Sequence, residues 1–156
     1  AKSGNYLVFF PSYSYCREVY NRFTGLCGDG IQCIMQKSNL SEEEREEFLK
    51  KFDKKQGGTL VAFCVMGGIF SEGIDLTQDR LIGAMIVGTG IPQVCNEREI
   101  LKQYFGAEGF DYAYLYPGMN KVLQSAGRVI RTEKDKGVIL LMDERFQSPH
   151  YRRQSC

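Results

Sequence analysis

The sequence predicts an α/β fold, a three-layer sandwich with a mostly parallel sheet and helices on both faces. Three observations predict it. Short apolar runs alternate along the chain with amphipathic segments of helical period. The runs are apolar almost throughout, as in NYLVFF (residues 5–10) and TLVAFCVM (residues 59–66), which suits strands buried on both faces. Glycine or proline punctuates the joins between runs and helices. The 156 residues form one domain, 1–156, long enough for a full core. The 43% hydrophobic and 25% charged content is that of an ordinary globular chain. No apolar run approaches the ~20 residues of a membrane span, so no membrane is expected as a partner.

Each element follows from local pattern. Asn5–Phe10 reads as a buried strand ended by Pro11. Ser12 or Ser14 then caps a helix to about Phe23, with Val19, Tyr20 and Phe23 inward. GLCGDG turns the chain into a second strand, IQCIM. LSEEEREEFLKKFDKK opens with a capping box, Ser41 with Glu44 three residues on. Its acids lie at the positive helix end and its lysines at the negative end, as the dipole favours. Gln56, Gly57 and Gly58 lead into the third strand, TLVAFCVM, which is followed by a glycine-punctuated loop, GGIFSEGID. LIGAMIVGT is a fourth strand ending near Ile91-Pro92. Asn96–Phe105 reads as helix, and residues 106–109 break it. Pro117 precedes a helix carrying QSAGRVIR, residues 124–131; KDKG then turns into a last strand, VILLMD. Ligands of such sheets bind at the carboxyl ends of the strands, where GGIFSEGID and the start of the first helix lie.

A net charge of +1 selects no partner, but its distribution is uneven. Residues 41–120 hold thirteen acids against eight bases, and residues 121–156 eight bases against four acids. The basic excess falls on the segment holding QSAGRVIR. The six cysteines, at 16, 27, 33, 64, 95 and 156, form no C-x-x-C pair, and the single His150 is far from all of them in sequence. Zinc spacing is absent, so no metal site is expected. The thiols are expected to be reduced and mostly buried, which suits the cytoplasm. The chain opens on Ala1 rather than methionine, and the expectation is a piece of a longer protein.

Within QSAGRVIR a helix would place Gln124, Arg128 and Arg131 within roughly 60° of one another at ~100° per residue. Val122, Ala126, Val129 and Ile130 would form the opposite, apolar face. Gly127 removes a side chain beside the arginines. Two guanidinium forks on one face suit phosphate oxygens; a solvated helix face is the other reading of the same residues. No G-x-x-x-x-G-K-[ST] phosphate loop occurs, and Gly28-Asp29-Gly30 precedes its strand rather than following it. VILLMDE looks like a strand ending in a magnesium-binding acid pair, but without a lysine loop it reads as a last strand with a polar end.

Taken together, GGIFSEGID and QSAGRVIR resemble motifs V and VI of superfamily 2 helicases, in particular the DinG/XPD type. Gly68, Phe70, Glu72, Gly73, Ile74 and Asp75 match the loop of motif V. Gln124, Gly127, Arg128, Ile130 and Arg131 match motif VI, and Asp143 and Arg145 a following D-x-R. VFFPSYSYCREVY, residues 8–20, looks like motif IV. Order and spacing agree along nearly the whole chain; the stretch from Gly90 to Tyr116 departs most. The resemblance implies a RecA-like second motor domain, the C-terminal lobe of an ATP-dependent 5′→3′ DNA helicase in repair or replication. Its expected partners are single-stranded DNA and the N-terminal RecA-like lobe of the same protein. ATP with Mg2+ would be held mainly by that other lobe, and an iron–sulfur cluster, where the parent has one, would also lie there. Arg128 and Arg131 would reach the γ-phosphate across the cleft, and Gln124 would place them or the attacking water. Gly127 would let the facing lobe approach. In motif V, Glu72, Gly73 and Asp75 would face the nucleotide and Ser71 the nucleic-acid backbone. Ser12 and Tyr13 would meet DNA at the first helix start, with Tyr13 or Tyr15 stacking on a base or packing in the core. The implied compartment is the bacterial cytoplasm or nucleoid, or a nucleus. The isolated domain is expected to be inactive. A non-catalytic nucleic-acid-binding or interaction module of the same fold is the alternative, and a small nucleotide-binding regulator a third.

Overall fold

The computed structural model describes residues 2–53, 58–72, 81–130 and 135–152, with the side chains of Ser71 and Glu72 excepted. Five strands, β1 (Asn5–Phe10), β2 (Ile31–Met35), β3 (Thr59–Val65), β4 (Gly83–Val87) and β5 (Val138–Met142), form one sheet in the order β2-β3-β1-β4-β5. Every pairing is parallel. The helices are α1 (Tyr13–Leu26), α2 (Glu42–Asp53), α3 (Ile69–Glu72), α4 (Asn96–Tyr104), α5 (Tyr116–Ala126) and α6 (Pro149–Arg152). α1, on the crossover running toward β2, lies on one face. α2 and α5, on crossovers running the other way, lie on the opposite face. Right-handed crossovers require that segregation.

The alternation of side chains along a strand divides the core in two. Leu7, Phe9, Leu60, Ala62, Cys64, Ala84 and Ile86 face Phe48 and Phe52 of α2, Phe70 of α3, and Met119 and Val122 of α5. Val8, Phe10, Val61, Phe63 and Val65 face Cys16, Val19, Tyr20 and Phe23 of α1. The Phe63 ring stacks on Phe10 at 5.9 Å and meets Tyr20 edge-on at 5.3 Å. β1 and β3 are therefore buried on both faces, as their unbroken apolar runs predict. β5 is not: Val138 is 68% exposed, and Leu140 and Met142 are also open, because α1 does not reach that end of the sheet.

Most predicted elements stand where the pattern puts them. Ser12 rather than Ser14 caps α1, accepting from Tyr15 N at 3.3 Å. The capping box is reciprocal: Glu44 N donates to Ser41 Oγ at 3.2 Å and Ser41 N to Glu44 Oε2 at 3.0 Å. Two expectations for the elements fail: GGIFSEGID, read as a loop, contains the short helix α3, and the last predicted helix stops early. QSAGRVIR is not helical throughout, since α5 ends at Ala126 and Gly127 is its cap. Arg128 N and Val129 N bond back only three residues, to Ser125 and Ala126 O at 3.3 and 3.0 Å. This tighter turn rotates the chain away from the helical face. Val129 still reaches the core, but Ile130, expected there, is 43% exposed. The thiols also differ from expectation: Cys16 and Cys64 are buried, Cys27 and Cys33 half-buried and Cys95 exposed.

Candidate functional site

The strand order places the site. β1 lies between β3 and β4, and the chain leaves β1 toward one side and later reaches β4 on the other. Such a switch opens a crevice at the carboxyl ends of these strands. Three exits meet there: Pro11-Ser12-Tyr13 after β1, residues 66–68 after β3, and residues 88–90 after β4. Gln36, just past β2, ties two of them together. It is 2% exposed, its Nε2 donates to Tyr13 Oη at 2.8 Å, and its Oε1 accepts from Val65 N at 3.0 Å. Burial raises the Tyr13 hydroxyl above its ordinary pKa, so it stays a neutral hydrogen-bonding group at pH 7.

α5 crosses the β4 exit at close range because two glycines meet there. A Cβ on Gly118 would lie 2.7 Å from Thr89 O and 3.0 Å from Ile91 N; one on Gly90, whose φ is +65, would lie 2.8 Å from Gly118 O. This crossing lays the Lys121 stem against Gly90 and its end over Gly67: a Cβ on Gly67 (φ +71) would meet Lys121 Cε at 3.4 Å and Nζ at 3.8 Å. The ammonium therefore sits over the bare backbone of the β3 exit. Gln124 follows one turn later, exposed, and Arg128 follows half-buried in the terminal turn. Ser125, fully buried, donates its hydroxyl to Lys121 O at 2.8 Å and so turns inward, between the polar positions. Thr89, buried at the β4 exit, has a hydroxyl with no partner among the described residues. The far end of the edge is closed: Asp143 caps the turn after β5 and holds Arg145 by two bonds, to Nε at 2.8 Å and Nη2 at 2.7 Å. The Arg145 guanidinium keeps the Asp143 carboxyl below its usual range. That carboxylate is occupied, which fits the polar strand end rather than a magnesium-binding acid pair. Among the described residues no three His, Cys, Asp or Glu converge as metal ligands.

Residues 1–155 match the family described as helicase C-terminal domain. The chain belongs to that family. The relatives of this helicase C-terminal domain include a regulator of telomere elongation helicase 1 homolog of Culex quinquefasciatus, 30% identical over 97% of this chain and 17% of the relative. A probable ATP-dependent helicase of Methanocaldococcus jannaschii is 30% identical over 94% of this chain and 24% of the relative. The ATP-dependent DNA helicase CHL1 of Vanderwaltozyma polyspora is 30% identical over 94% and 20%. The chain thus spans about a quarter or less of the length of these relatives. Two XPD helicase structures share its fold at TM-scores of 0.71 and 0.72, each 24% identical over 97% of this chain, which covers 27% and 30% of theirs.

In this helicase domain Ser12, Tyr13, Gln124, Gly127 and Arg128 all fall among the described residues. Ser12 and Tyr13 stand at the crevice, and Gln124 and Arg128 on the element that borders it. Arg131, Gly73 and Asp75 lie outside the described residues, and for Ser71 and Glu72 only the backbone, in α3, is described. Among the described residues, a Cβ on Gly127 would meet only carbonyl oxygens of its own helix, Leu123 O at 3.3 Å and Gln124 O at 3.6 Å. Sequence reasoning missed Gln36, Gly118 and Lys121. A lone glutamine directly after an apolar strand was the available signal for Gln36. Gly118 and Lys121 are marked only by the crossing of α5 over the β4 exit, which no local pattern carries.

Proposed function

We propose that this chain is the second motor lobe of an ATP-dependent DNA helicase that moves 5′→3′ on single-stranded DNA in genome maintenance, within the cytoplasm or nucleus. The observation carrying this reading is Lys121, which α5 lays against Gly90 and over the bare backbone of Gly67, with Gln124 further along the same helix and Arg128 in the turn that ends it. Cations beside unsubstituted backbone suit phosphate oxygens. The chain lacks a phosphate loop, so the triphosphate and Mg2+ belong mainly to the N-terminal RecA-like lobe, and this lobe supplies the facing wall of the site.

The division of labour follows from side-chain chemistry. Arg128 and Arg131 offer planar, permanently charged forks that match an equatorial phosphoryl oxygen pair. They act where charge develops as the γ-phosphoryl is transferred to water. Gln124, with both a donor and an acceptor, orients an arginine or the water. Glu72, Gly73 and Asp75 face the nucleotide, with Gly127 leaving room for the other lobe. Lys121 is a compact point charge and serves a backbone phosphate of the DNA at the β3 exit, with Ser12, Tyr13 and Ser71 along the same edge. In this reading the Gln36–Tyr13 bond holds the α1 start in place.

The purified chain tests the division. With single-stranded DNA and ATP it should show no hydrolysis above blank. It should bind the DNA weakly and with marked salt dependence. Turnover by the isolated chain would overturn the half-site reading, and tight, salt-insensitive binding would favour a dedicated binding module.

A further inference from the structure

α1 and the edge strand β2 lie against each other and are tied at one end by the Gln36–Tyr13 bond, 2.8 Å long. At the opposite end two thiols meet. Cys27 caps α1, its N–H bonding Phe23 O at 2.8 Å, and its Sγ lies 3.9 Å from Sγ of Cys33 in β2. Both side chains are half-buried, so a small oxidant reaches them. The turn between them leaves room: among the described residues a Cβ on Gly28 or Gly30 would touch nothing within 4 Å, and the turn is held to β3 at Gly30 O, which accepts from Thr59 N at 3.1 Å. Closing the sulfurs to the ~2 Å of a bond therefore asks for side-chain rotation and a small movement of that turn.

We propose that Cys27 and Cys33 form a dithiol site that a hydroperoxide oxidises to an intramolecular disulfide. The Cys27 sulfur attacks one peroxide oxygen, the O–O bond breaks, and water (or an alcohol) leaves as Cys27 becomes a sulfenic acid. The Cys33 sulfur then attacks the Cys27 sulfur. The S–S bond forms, and the sulfenic hydroxyl departs with the Cys33 proton as water. Two electrons pass from the two thiols to the peroxide. Burial, and then the bond to Cys27, push the Cys33 thiol up to about 11. Cys33 is thus protonated at neutral pH and takes the second step. Cys16 and Cys64 lie inside the core, out of reach of the oxidant, which spares them. The product would staple α1 to the edge strand, at the end of the sheet remote from the crevice.

The test uses the reduced chain in a Cys156→Ser background. It is treated with limiting hydrogen peroxide, alkylated, digested without reductant and mapped by mass spectrometry. Exposed Cys95 serves as the reference thiol. A peptide pair joined through Cys27 and Cys33 should accumulate while Cys16 and Cys64 are still alkylated, and dithiothreitol should release it. In Cys33→Ser the Cys27 sulfur should stop at a sulfenic acid that dimedone traps; Cys27→Ser should give no cross-link. In the oxidised chain the β2 amides should exchange more slowly than in the reduced chain. Recovery of Cys27 and Cys33 as two free thiols at a dose that has consumed Cys95 would overturn the proposal. So would pairing of Cys27 with any other cysteine, or unchanged β2 exchange after cross-linking.

Discussion

Replacing Gly118 with alanine should destabilise the domain, and the same replacement at Gly25 should stabilise it. Both glycines lie in helices, α5 and α1, so both substitutions gain helix propensity, up to ~1 kcal/mol in a helix interior and about half that near an end. Their surroundings differ. A methyl on Gly118 would sit 2.7 Å from Thr89 O, roughly 0.7 Å inside the 3.4 Å at which ordinary contact begins, and 3.0 Å from Ile91 N. Both neighbours are backbone, so the helix or the β4 exit must move. Overpacking of that kind costs up to ~3 kcal/mol, leaving a net loss of about 2 kcal/mol after the propensity gain. For a domain of this size that lowers Tm by about 4–8 °C. A methyl on Gly25 meets nothing within 4 Å among the described residues, so only the propensity term remains and Tm should rise by about 1–2 °C. Thermal unfolding of both variants by circular dichroism measures this. Gly118→Ala melting with or above the parent would refute the close crossing, and with it the placement of Lys121 over Gly67.

Three further outcomes follow from the same geometry. Val129→Asp should unfold the domain by burying a charge, whereas Ile130→Asp should melt within ~2 °C of the parent, because Ile130 is 43% exposed; equal loss in both would restore Ile130 to the core. The depressed pKa of Asp143 means its ionised form stabilises the fold at pH values above the ordinary 3.8, and that contribution disappears as pH falls through the lower folded value. The Tm gap between parent and Asp143→Asn should therefore be full at neutral pH and shrink in acid; a gap independent of pH would refute the Arg145 pairing as its source. Lys121→Met should weaken single-stranded DNA binding at low salt and reduce the salt slope by about 1, while an unchanged slope would remove Lys121 from the DNA path.

Much of the fold was legible because each strand is a short apolar run and each break carries Gly, Pro or a cap. Ser41 and Glu44 announce α2 within four residues, and the structure closes their box from both sides. The error at QSAGRVIR has a local cause. Periodicity continues past Ala126, but the bonds after Gly127 close over three residues rather than four, and no propensity in V-I-R reports that change. The turn Asp111–Leu115, wound wider than an α-helix, lies in the stretch between Gly90 and Tyr116 that departs most from the family pattern. Of the site, the motif residues could be named because their spacing is fixed within single elements. Lys121 and Gly118 could not, because what marks them is a crossing between α5 and the β4 exit, two segments that approach only in three dimensions. Gln36 lies between those cases: its position after β2 was readable, but its bonds to Tyr13 and Val65 depend on the strand order.

In the proposed reading this lobe reaches across a cleft to ATP held by another lobe. The most direct measurement is steady-state ATP hydrolysis, stimulated by single-stranded DNA, in the full-length protein carrying Arg128→Ala, with ATP affinity and Tm determined alongside. If Arg128 meets the γ-phosphate chiefly in the transition state, kcat should fall by ~10³-fold or more while ATP Kd stays within several-fold. Arg128→Lys should recover little of the loss, because an ammonium cannot reproduce the fork. Near-parental kcat in Arg128→Ala, with the domain folded, would mean that Arg128 does not reach the γ-phosphate.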